Sequence, residues 1–517
     1  MSRIAIIGGG ISGLSAALRV HELAVEQNRD VQITLLEASD RLGGVLQTER
    51  IGEYLVEHAA DMWITNKPEG MRLCEKLGLA DRLIPTDAKF RKSLVLRDGK
   101  AYPIPEGFQL MVPEQAWPML RSPLLSWRGK LRLLGEAFVR SRRDGADESL
   151  ADFVRRRCGC EVFERLVQPL VGGIYTADPE KLSLKATLPR FIEMERQHGS
   201  LIRAALRQSR DKSSGTSGAR YGLFVSLPSG IEELVSALSR RVAEFADIRC
   251  GIKVCAVRPF AKGGFEVDSQ SRPLSPWERV ADRPGEGRSG EEVPTSIDTT
   301  RESIVDGSLT PTLSQREREP GKTTEHFDAV ILAVPSFVAA SMLAKGCLLL
   351  STELNRIEYA STVVVASGHK FADIEHPLNA FGLVIPHIER RKILAVSFTS
   401  RKFPGRAPDG SVLLRTFIGG ALQPELCDLD DAAIMKLVSR ELNELLGVRG
   451  EPDFVNVYRH TRAMPQYHVG HLDLVARIQA ATAHSSGLAL AGNVLNGVGI
   501  PDSIASGESA AEKVMKG

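Results

Sequence analysis

Three glycines and one carboxylate carry the first chemistry that can be read from this chain. Residues 4–13 read IAIIGGGISG, so Gly8, Gly10 and Gly13 fall at G-x-G-x-x-G spacing. The apolar run before them reads as a buried strand, and Leu14–Val20 can continue a helix behind them. In that setting Gly8 permits a tight turn, Gly10 lets backbone approach a pyrophosphate, and Gly13 lets the helix pack close to the sheet. Ile11, Ser12 and Gly13 open the helix, whose free N–H groups and positive end suit phosphate. A second strand, VQITLL, runs into Glu37. That carboxylate stands where a ribose with two hydroxyls would be gripped. The chemistry implied is the holding of a dinucleotide.

Two further glycine clusters lengthen the site. In ASDRLGG, residues 38–44, Arg41 can reach phosphate, and Gly43-Gly44 allows a second close approach of backbone to ligand. The chain end supplies Gly492-Asn493 and Gly497-Val498-Gly499, followed by a helix from about Ile500. Contacts drawn from both ends of a chain suit a long, extended cofactor, and FAD fits that demand better than a nicotinamide dinucleotide. The histidines point elsewhere: His468 and His471 form HxxH without carboxylates in a recognised pattern, so no metal site is expected. Cys158-Gly-Cys160 lacks a second cysteine pair, and the seven cysteines read as free thiols suited to a reducing compartment. Tyr467 and Phe417 could stack on an aromatic ligand, although ordinary core packing is the better reading of each.

The elements that must position these residues come from a chain of 517 residues, enough for two or three domains. With 66 basic and 64 acidic side chains there is no cationic field to point to nucleic acid. The longest apolar stretch, AVILAVPSFVAASML at 329–343, is too short to span a bilayer and is broken by Pro335. It reads as a buried strand, a turn at Pro335-Ser336 and a helix start. Residues 1–60 form a first nucleotide-binding segment. Residues 61–220 hold short amphipathic helical patterns, such as GKLRLLGEAFVRSRR, that could be core faces, dock on lipid or line a greasy cavity. Residues 221–335 return to the nucleotide-binding pattern but contain a polar Pro-, Gly-, Ser-, Arg- and Glu-rich stretch, 269–325, without periodicity. Its flanks read as one β unit separated by an inert, disordered insert. Residues 336–455 read as a mixed sheet, and 456–517 as the closing nucleotide-binding segment. The fold class expected is α/β: a Rossmann-like FAD-binding domain of the GR2 type assembled from separated segments, a mixed-sheet substrate domain and a mostly helical domain.

The motifs GGGISGL, ITLLEASDRLGG, the stretch from Val56 through Asp61, GLFVSLPSGIEEL, FDAVILAVP and the terminal LAGNVLNGVGIPDSIASG resemble those of the FAD-dependent protoporphyrinogen and coproporphyrinogen oxidases. The wider superfamily includes flavin amine oxidases and phytoene desaturases. The terminal motif and the PIPEG segment, residues 103–107, favour the porphyrinogen oxidases. The resemblance covers nearly the whole chain outside 269–325. It implies that Gly8 through Gly13 hold the pyrophosphate, Glu37 the ribose, and Arg41 with Gly44 the phosphate and ribityl region. It also implies that Val254 offers backbone N–H and C=O to adenine, that Asn493 lies against the ribityl chain, and that Val498, Gly499 and Ile500 bring backbone donors to the pyrimidine side of the flavin.

The function implied is oxygen-dependent oxidation of a porphyrinogen to the porphyrin in haem biosynthesis. Flavin N5 accepts hydride and oxygen leaves as hydrogen peroxide. Such chemistry needs no protein nucleophile, and no catalytic side chain is assigned. The protein supplies a flat apolar slot and orientation. Substrate carboxylates call for cations, and Lys89, Arg91, Lys92, Arg97 and Lys100 stand near PIPEG. Some members of the family carry arginine just after this segment, where this chain has Gln109. A chain without a spanning segment and with these cations leans slightly toward coproporphyrinogen III over protoporphyrinogen IX. Two other readings stay open: a flavin amine oxidase or phytoene-desaturase-like enzyme, and a flavin-bearing binding protein without turnover. The expected setting is the cytoplasm, with peripheral contact to the cytoplasmic membrane face left open, as either monomer or homodimer.

Overall fold

Ile4, Ala5, Ile6 and Ile7 are all buried, with no polar alternation between them. A strand covered on both faces needs such a run, and the sheet around it is parallel. The computed structural model describes residues 1–113, 116–142, 144–211, 224–271 and 321–516. Five strands make the sheet: β1 (Ser2–Ile7), β2 (Val31–Leu36), β3 (Ala246–Arg249), β4 (Ala329–Leu332) and β5 (Leu488–Leu490). Their order is β3-β2-β1-β4-β5 and every pairing is parallel. The strand order reverses beside β1, which opens a crevice at the carboxyl ends of β1 and β4. One face of the sheet carries α1 (Ile11–Glu26) and, from the far end of the chain, α2 (Ile500–Lys516). These two helices approach very closely, because a Cβ at Gly507 would stand 2.2 Å from the Ser12 carbonyl oxygen.

The other face of the sheet is covered by an antiparallel meander of Ile252–Pro259, Phe265–Ser271 and Lys322–Phe327, and by helices that include Ser336–Leu343 and His471–Ala483. Gln270 pairs with Lys322, so the two flanks of the polar stretch are neighbouring strands. The ends of the 269–325 stretch therefore belong to ordered ladder. The expected disorder concerns 272–320, which lies outside the described residues. Strand β4 followed by the helix Ser336–Leu343 matches the reading of the long apolar run. Among the described residues, no helix is long and apolar enough to cross a membrane.

A seven-stranded mixed sheet forms the second layer. Its order is 454–465, 359–370, 411–419, 395–398, 382–384, 93–97 and 100–103. Five of its six pairings are antiparallel, while 382–384 pairs parallel with 93–97. Two boundaries read from sequence shift here. The stretch read as helical lends 93–97 and 100–103 to this sheet, and the closing segment lends 454–465. Ser93 pairs with Gly382, 289 positions away, and Pro465 with Tyr359, 106 away, separations that local patterns do not encode. The remaining helices between 116 and 211 enclose their own core around Leu150, Phe153, Leu166 and Leu184. Inside it the buried Arg157 guanidinium bonds the Glu136 carboxylate, the Val139 carbonyl at 3.0 Å and the Gly199 carbonyl at 3.1 Å.

Candidate functional site

The three glycines of the first turn have three different neighbours. A Cβ on Gly8 would lie 2.4 Å from the Ala333 carbonyl oxygen, and Gly8 adopts φ +108°. A Cβ on Gly13 would lie 1.9 Å from the Gly8 carbonyl oxygen. Both positions exclude side chains for reasons internal to the fold. Gly10 differs: a Cβ there would meet nothing within 4 Å. Gly10 is the N-cap of α1, carries no side-chain cap, and is followed by a first turn without acidic residues. The helix end is thus left open and positive, with Ile11, Ser12 and Gly13 at its start.

Glu37 follows β2 and turns back onto this loop. Its Oε2 accepts the Gly9 N–H at 2.6 Å, and its Oε1 accepts the Ser39 N–H and hydroxyl, each at 2.8 Å. The Gly43 N–H donates to the Gly9 carbonyl at 2.8 Å, and Gly10 and Gly43 form a parallel bridge. The first two glycine clusters are therefore one structure. Gly44 lies beside Gly10, where a Cβ would come 3.4 Å from the Gly10 Cα. The Arg41 guanidinium donates to the carbonyls of Leu42 at 3.1 Å, Leu46 at 3.3 Å and Gly44. It braces the loop that carries Gly43 and Gly44. Val254 lies buried on the outer strand of the meander, opposite Ser269, with a bulge directly after it.

The third cluster sits after β5. Gly492, at φ +118°, has space for a Cβ with nothing within 4 Å, and its N–H donates to Ser506 Oγ at 3.0 Å. The Asn493 carbonyl accepts the hydroxyl of the buried Tyr467, and Tyr467 stacks on His471 with centroids 4.1 Å apart. Burial pushes the Tyr467 hydroxyl pKa strongly up and the His471 pKa down, which keeps both neutral. Gly499 N–H donates to Asp502 Oδ2 at 3.2 Å, and Ile500 opens α2. Val498 packs against the helical core, so the last cluster reaches the helical layer. Tyr467 and His471 thus belong to the wall behind the third cluster. Among the described residues, no group of three His, Cys, Asp or Glu could hold a metal ion. The open spaces at Gly10 and Gly492, the uncapped positive end of α1 and the Glu37 carboxylate together fit an extended dinucleotide such as FAD.

A charged cluster that the sequence reading passed over lies between this domain and the seven-stranded sheet. Asp61 Oδ2 is 3.1 Å from Lys402 Nζ and 3.4 Å from an Arg415 nitrogen, and all three residues are buried. Burial alone would raise the Asp61 pKa, but the two cations outweigh it and hold the carboxyl below its ordinary 3.8. Nearby, Glu57 accepts the Thr48 hydroxyl at 2.7 Å and the Ile231 N–H at 2.9 Å. The buried Arg406 donates to the carbonyls of Leu227 and Pro228. The partners lie far apart along the chain, so no local pattern marks the cluster.

Two of the cations near PIPEG are engaged by neighbouring groups and a third stands exposed. Arg97 is held by Asp98 and the Pro123 carbonyl, Arg91 by the Thr86 carbonyl, and Lys100 stands exposed across a hairpin turn from Arg97.

An all-parallel sheet with a glycine cradle at its switch point, joined to a large mixed sheet, defines a flavoprotein of the two-domain oxidase type. The family model for flavin-containing amine oxidoreductases matches residues 11–283 and 293–515. The coproporphyrinogen III oxidase of Bacillus subtilis (strain 168) is 30% identical over 99% of this chain and 97% of its own length. That of Propionibacterium freudenreichii subsp. freudenreichii is 29% identical over 99% of this chain and 90% of its own. A solved structure from Exiguobacterium sp. 255-15, assigned as a protoporphyrinogen oxidase, aligns with a TM-score of 0.79 at 25% identity, covering 100% of this chain and 99% of that one. The chain belongs to the flavin-containing amine oxidoreductase family, on its porphyrinogen oxidase branch. Family and fold imply FAD as its cofactor.

Proposed function

We propose that this protein oxidises coproporphyrinogen III to the porphyrin with molecular oxygen, using FAD. The observation that carries the reading is the likeness over nearly its full length to coproporphyrinogen III oxidases, joined to an intact glycine cradle at both chain ends. Bound FAD supplies the hydride acceptor for a reduced methylene bridge. Gly8, Gly10, Ile11, Ser12, Gly13 and Gly43 would cradle its pyrophosphate, and Glu37 its ribose. Val254 would meet adenine, Gly44, Gly492 and Asn493 the ribityl chain, and Val498, Gly499 and Ile500 the flavin edge. Arg41 would act through the loop it braces. The protein's remaining tasks are to hold a flat substrate in register and to keep water away from it.

Protoporphyrinogen IX is the alternative substrate, and two carboxylates rather than four distinguish it. Purified protein should carry about one FAD per chain and convert coproporphyrinogen III to a fluorescent porphyrin with release of peroxide. A kcat/KM at least about tenfold higher for protoporphyrinogen IX would reverse the substrate assignment. Absence of both turnover and flavin binding would overturn the function altogether.

A peripheral membrane contact is also proposed. Trp127, Leu131 and Leu134 lie exposed along one face of the helix Trp127–Leu134, and Phe138, 87% exposed, follows in the next turn. Exposed Arg128, Arg132 and Arg140 flank them, a composition suited to an anionic lipid surface. Co-sedimentation with phosphatidylglycerol vesicles, lost on replacing Trp127 and Phe138 by Ser, would support it, and failure of the wild type to bind would exclude it.

A further inference from the structure

Three of four consecutive residues, His58, Ala59 and Asp61, are held by side chains of the mixed-sheet layer. His460 Nε2 stands 2.9 Å from the His58 carbonyl oxygen. The Arg415 guanidinium donates to the Ala59 carbonyl, and Lys402 and Arg415 flank the Asp61 carboxylate. His460 comes from the edge strand Phe454–Pro465, Arg415 from the strand Ser411–Gly419, and Lys402 from the end of the short helix Thr399–Lys402. Two successive backbone carbonyls are thus taken by side chains 402 and 356 positions away. The edge strand holds His58 a second time. Tyr458 stands two residues before His460 and so shares its face. Its hydroxyl donates to Glu49 Oε2 at 2.8 Å, and His58 Nε2 lies 3.0 Å from the same oxygen. The His58 ring stacks on Tyr458 with centroids 3.9 Å apart.

A carbonyl accepts only from a nitrogen that bears a proton, so His460 carries its proton on Nε2. Burial holds the His460 pKa below the ordinary 6.5, which leaves the ring neutral. The run it grips joins two of the glycine clusters. The His58 N–H donates to the Gln47 carbonyl at 2.9 Å, just beyond the Gly43-Gly44 loop. Ala60 packs on the core that contains Leu46, Trp63 and Ile500. A Cβ on Gly70 would lie 2.8 Å from the Trp63 ring and 3.6 Å from Pro501, so Trp63 lies beside the start of α2. A cofactor stretched from the second cluster to the third passes alongside residues 58–63. Ala59 and Ala60, both partly exposed, are the small residues between the fastened groups.

We infer that His460 is a positioning residue: through the His58 carbonyl it fixes the Ala59-Ala60 backbone as a wall of the flavin half of the cofactor site. The inference rests on the proposed porphyrinogen oxidation and placement of FAD, and adds a residue which that reading leaves out. Hydride transfer needs the reduced bridge and the flavin held in close register, and a displacement of about 1 Å can cost about a hundredfold in rate. A hydrogen bond from the mixed sheet to this wall ties the two layers at that point. It acts on the rate of transfer more than on substrate affinity.

The test compares wild type, H460F and H460Q as FAD-loaded full-length protein. Phenylalanine fills the ring's volume without a donor, and glutamine can place an N–H near the former Nε2. Flavin reduction by coproporphyrinogen III, followed as anaerobic bleaching, should be about ten- to hundredfold slower in H460F, with KM changed less than about threefold. H460Q should recover most of the loss. The visible absorption band of bound FAD, read without substrate, should shift in H460F and return toward wild type in H460Q. A folded H460F with the wild-type reduction rate and an unshifted band would overturn the inference and leave the oxidation intact. So would a lower Tm in H460F whose folded fraction keeps both. If wild type binds FAD but oxidises no porphyrinogen, the proposed function fails while the flavin band still reads His460. A band that moves in H460F and returns in H460Q then supports the inference, and one identical in all three refutes it. Should H460F fail to fold, H460N, whose shorter side chain cannot reach the carbonyl, replaces it with the same expected outcomes.

Discussion

At the scale of single residues, the glycine motif separates into two positions that the fold itself closes to side chains, Gly8 and Gly13, and one, Gly10, where a Cβ would meet open space. Gly13→Ala forces a Cβ to 1.9 Å from the Gly8 carbonyl oxygen and should yield little folded protein. Gly10→Ala places its methyl in open space at φ −71°, ψ 176°, which any residue adopts. That variant should keep the apoprotein Tm of wild type and lose FAD affinity, measured by flavin fluorescence on titration. A Gly10→Ala protein that binds FAD normally would remove Gly10 from the cofactor site. Asp61 tests a different kind of residue. Asp61→Asn leaves Lys402 and Arg415 buried without their carboxylate and should cost about 3–5 kcal/mol in denaturant unfolding. The Asp61 carboxyl has a lower pKa folded than unfolded, so its contribution is present above the ordinary 3.8 and fades as pH falls through the folded value. The Asn variant should lack that part of the acid limb of the stability curve.

At the scale of elements, the junction of α1 with α2 makes the two chain ends one structure. Gly507 lets α2 lie on the Ser12 carbonyl, and Gly507→Ala would drive a methyl to 2.2 Å from that oxygen. Separating the helices should cost about 1–3 kcal/mol. Under the proposed placement of FAD, with its pyrophosphate at α1 and its flavin at α2, it should also weaken FAD binding. Thermal unfolding with and without added FAD reads both effects. Loss of stability without loss of FAD affinity would show that the two helices adjust independently. Much of this level was legible beforehand: β1, the helix behind it, β2 and the Gly492–Ile500 turn are local patterns with strong punctuation. The mixed sheet was legible as strands and not as an order, because 93–97 reaches it through a parallel pairing with 382–384.

Across the whole molecule, the strands on either side of 272–320 are hydrogen-bonded neighbours, with Gln270 opposite Lys322. Removing 272–320 and closing the hairpin with a short Asn-Gly turn should leave FAD content and porphyrinogen turnover unchanged, since a tight turn spans adjacent antiparallel strands. Loss of folding in that deletion would show that the stretch packs on the described domains.

Sequence patterns were enough for the α/β class, the glycine turns and the building of the parallel sheet from distant segments. These follow from short-range facts: glycines where backbone must approach backbone, apolar runs where a strand is covered on both faces, and a carboxylate one strand away. Which charges are paired emerges once the chain is folded. Lys89, Arg91, Lys92, Arg97 and Lys100 looked equivalent as letters. Folding spends Arg97 on Asp98 and the Pro123 carbonyl and Arg91 on the Thr86 carbonyl, and leaves Lys100 exposed. It likewise buried Asp61 between Lys402 and Arg415, residues 341 and 354 positions away. Coulomb energy depends on separation and surroundings in space, which a linear pattern does not contain until the chain is folded.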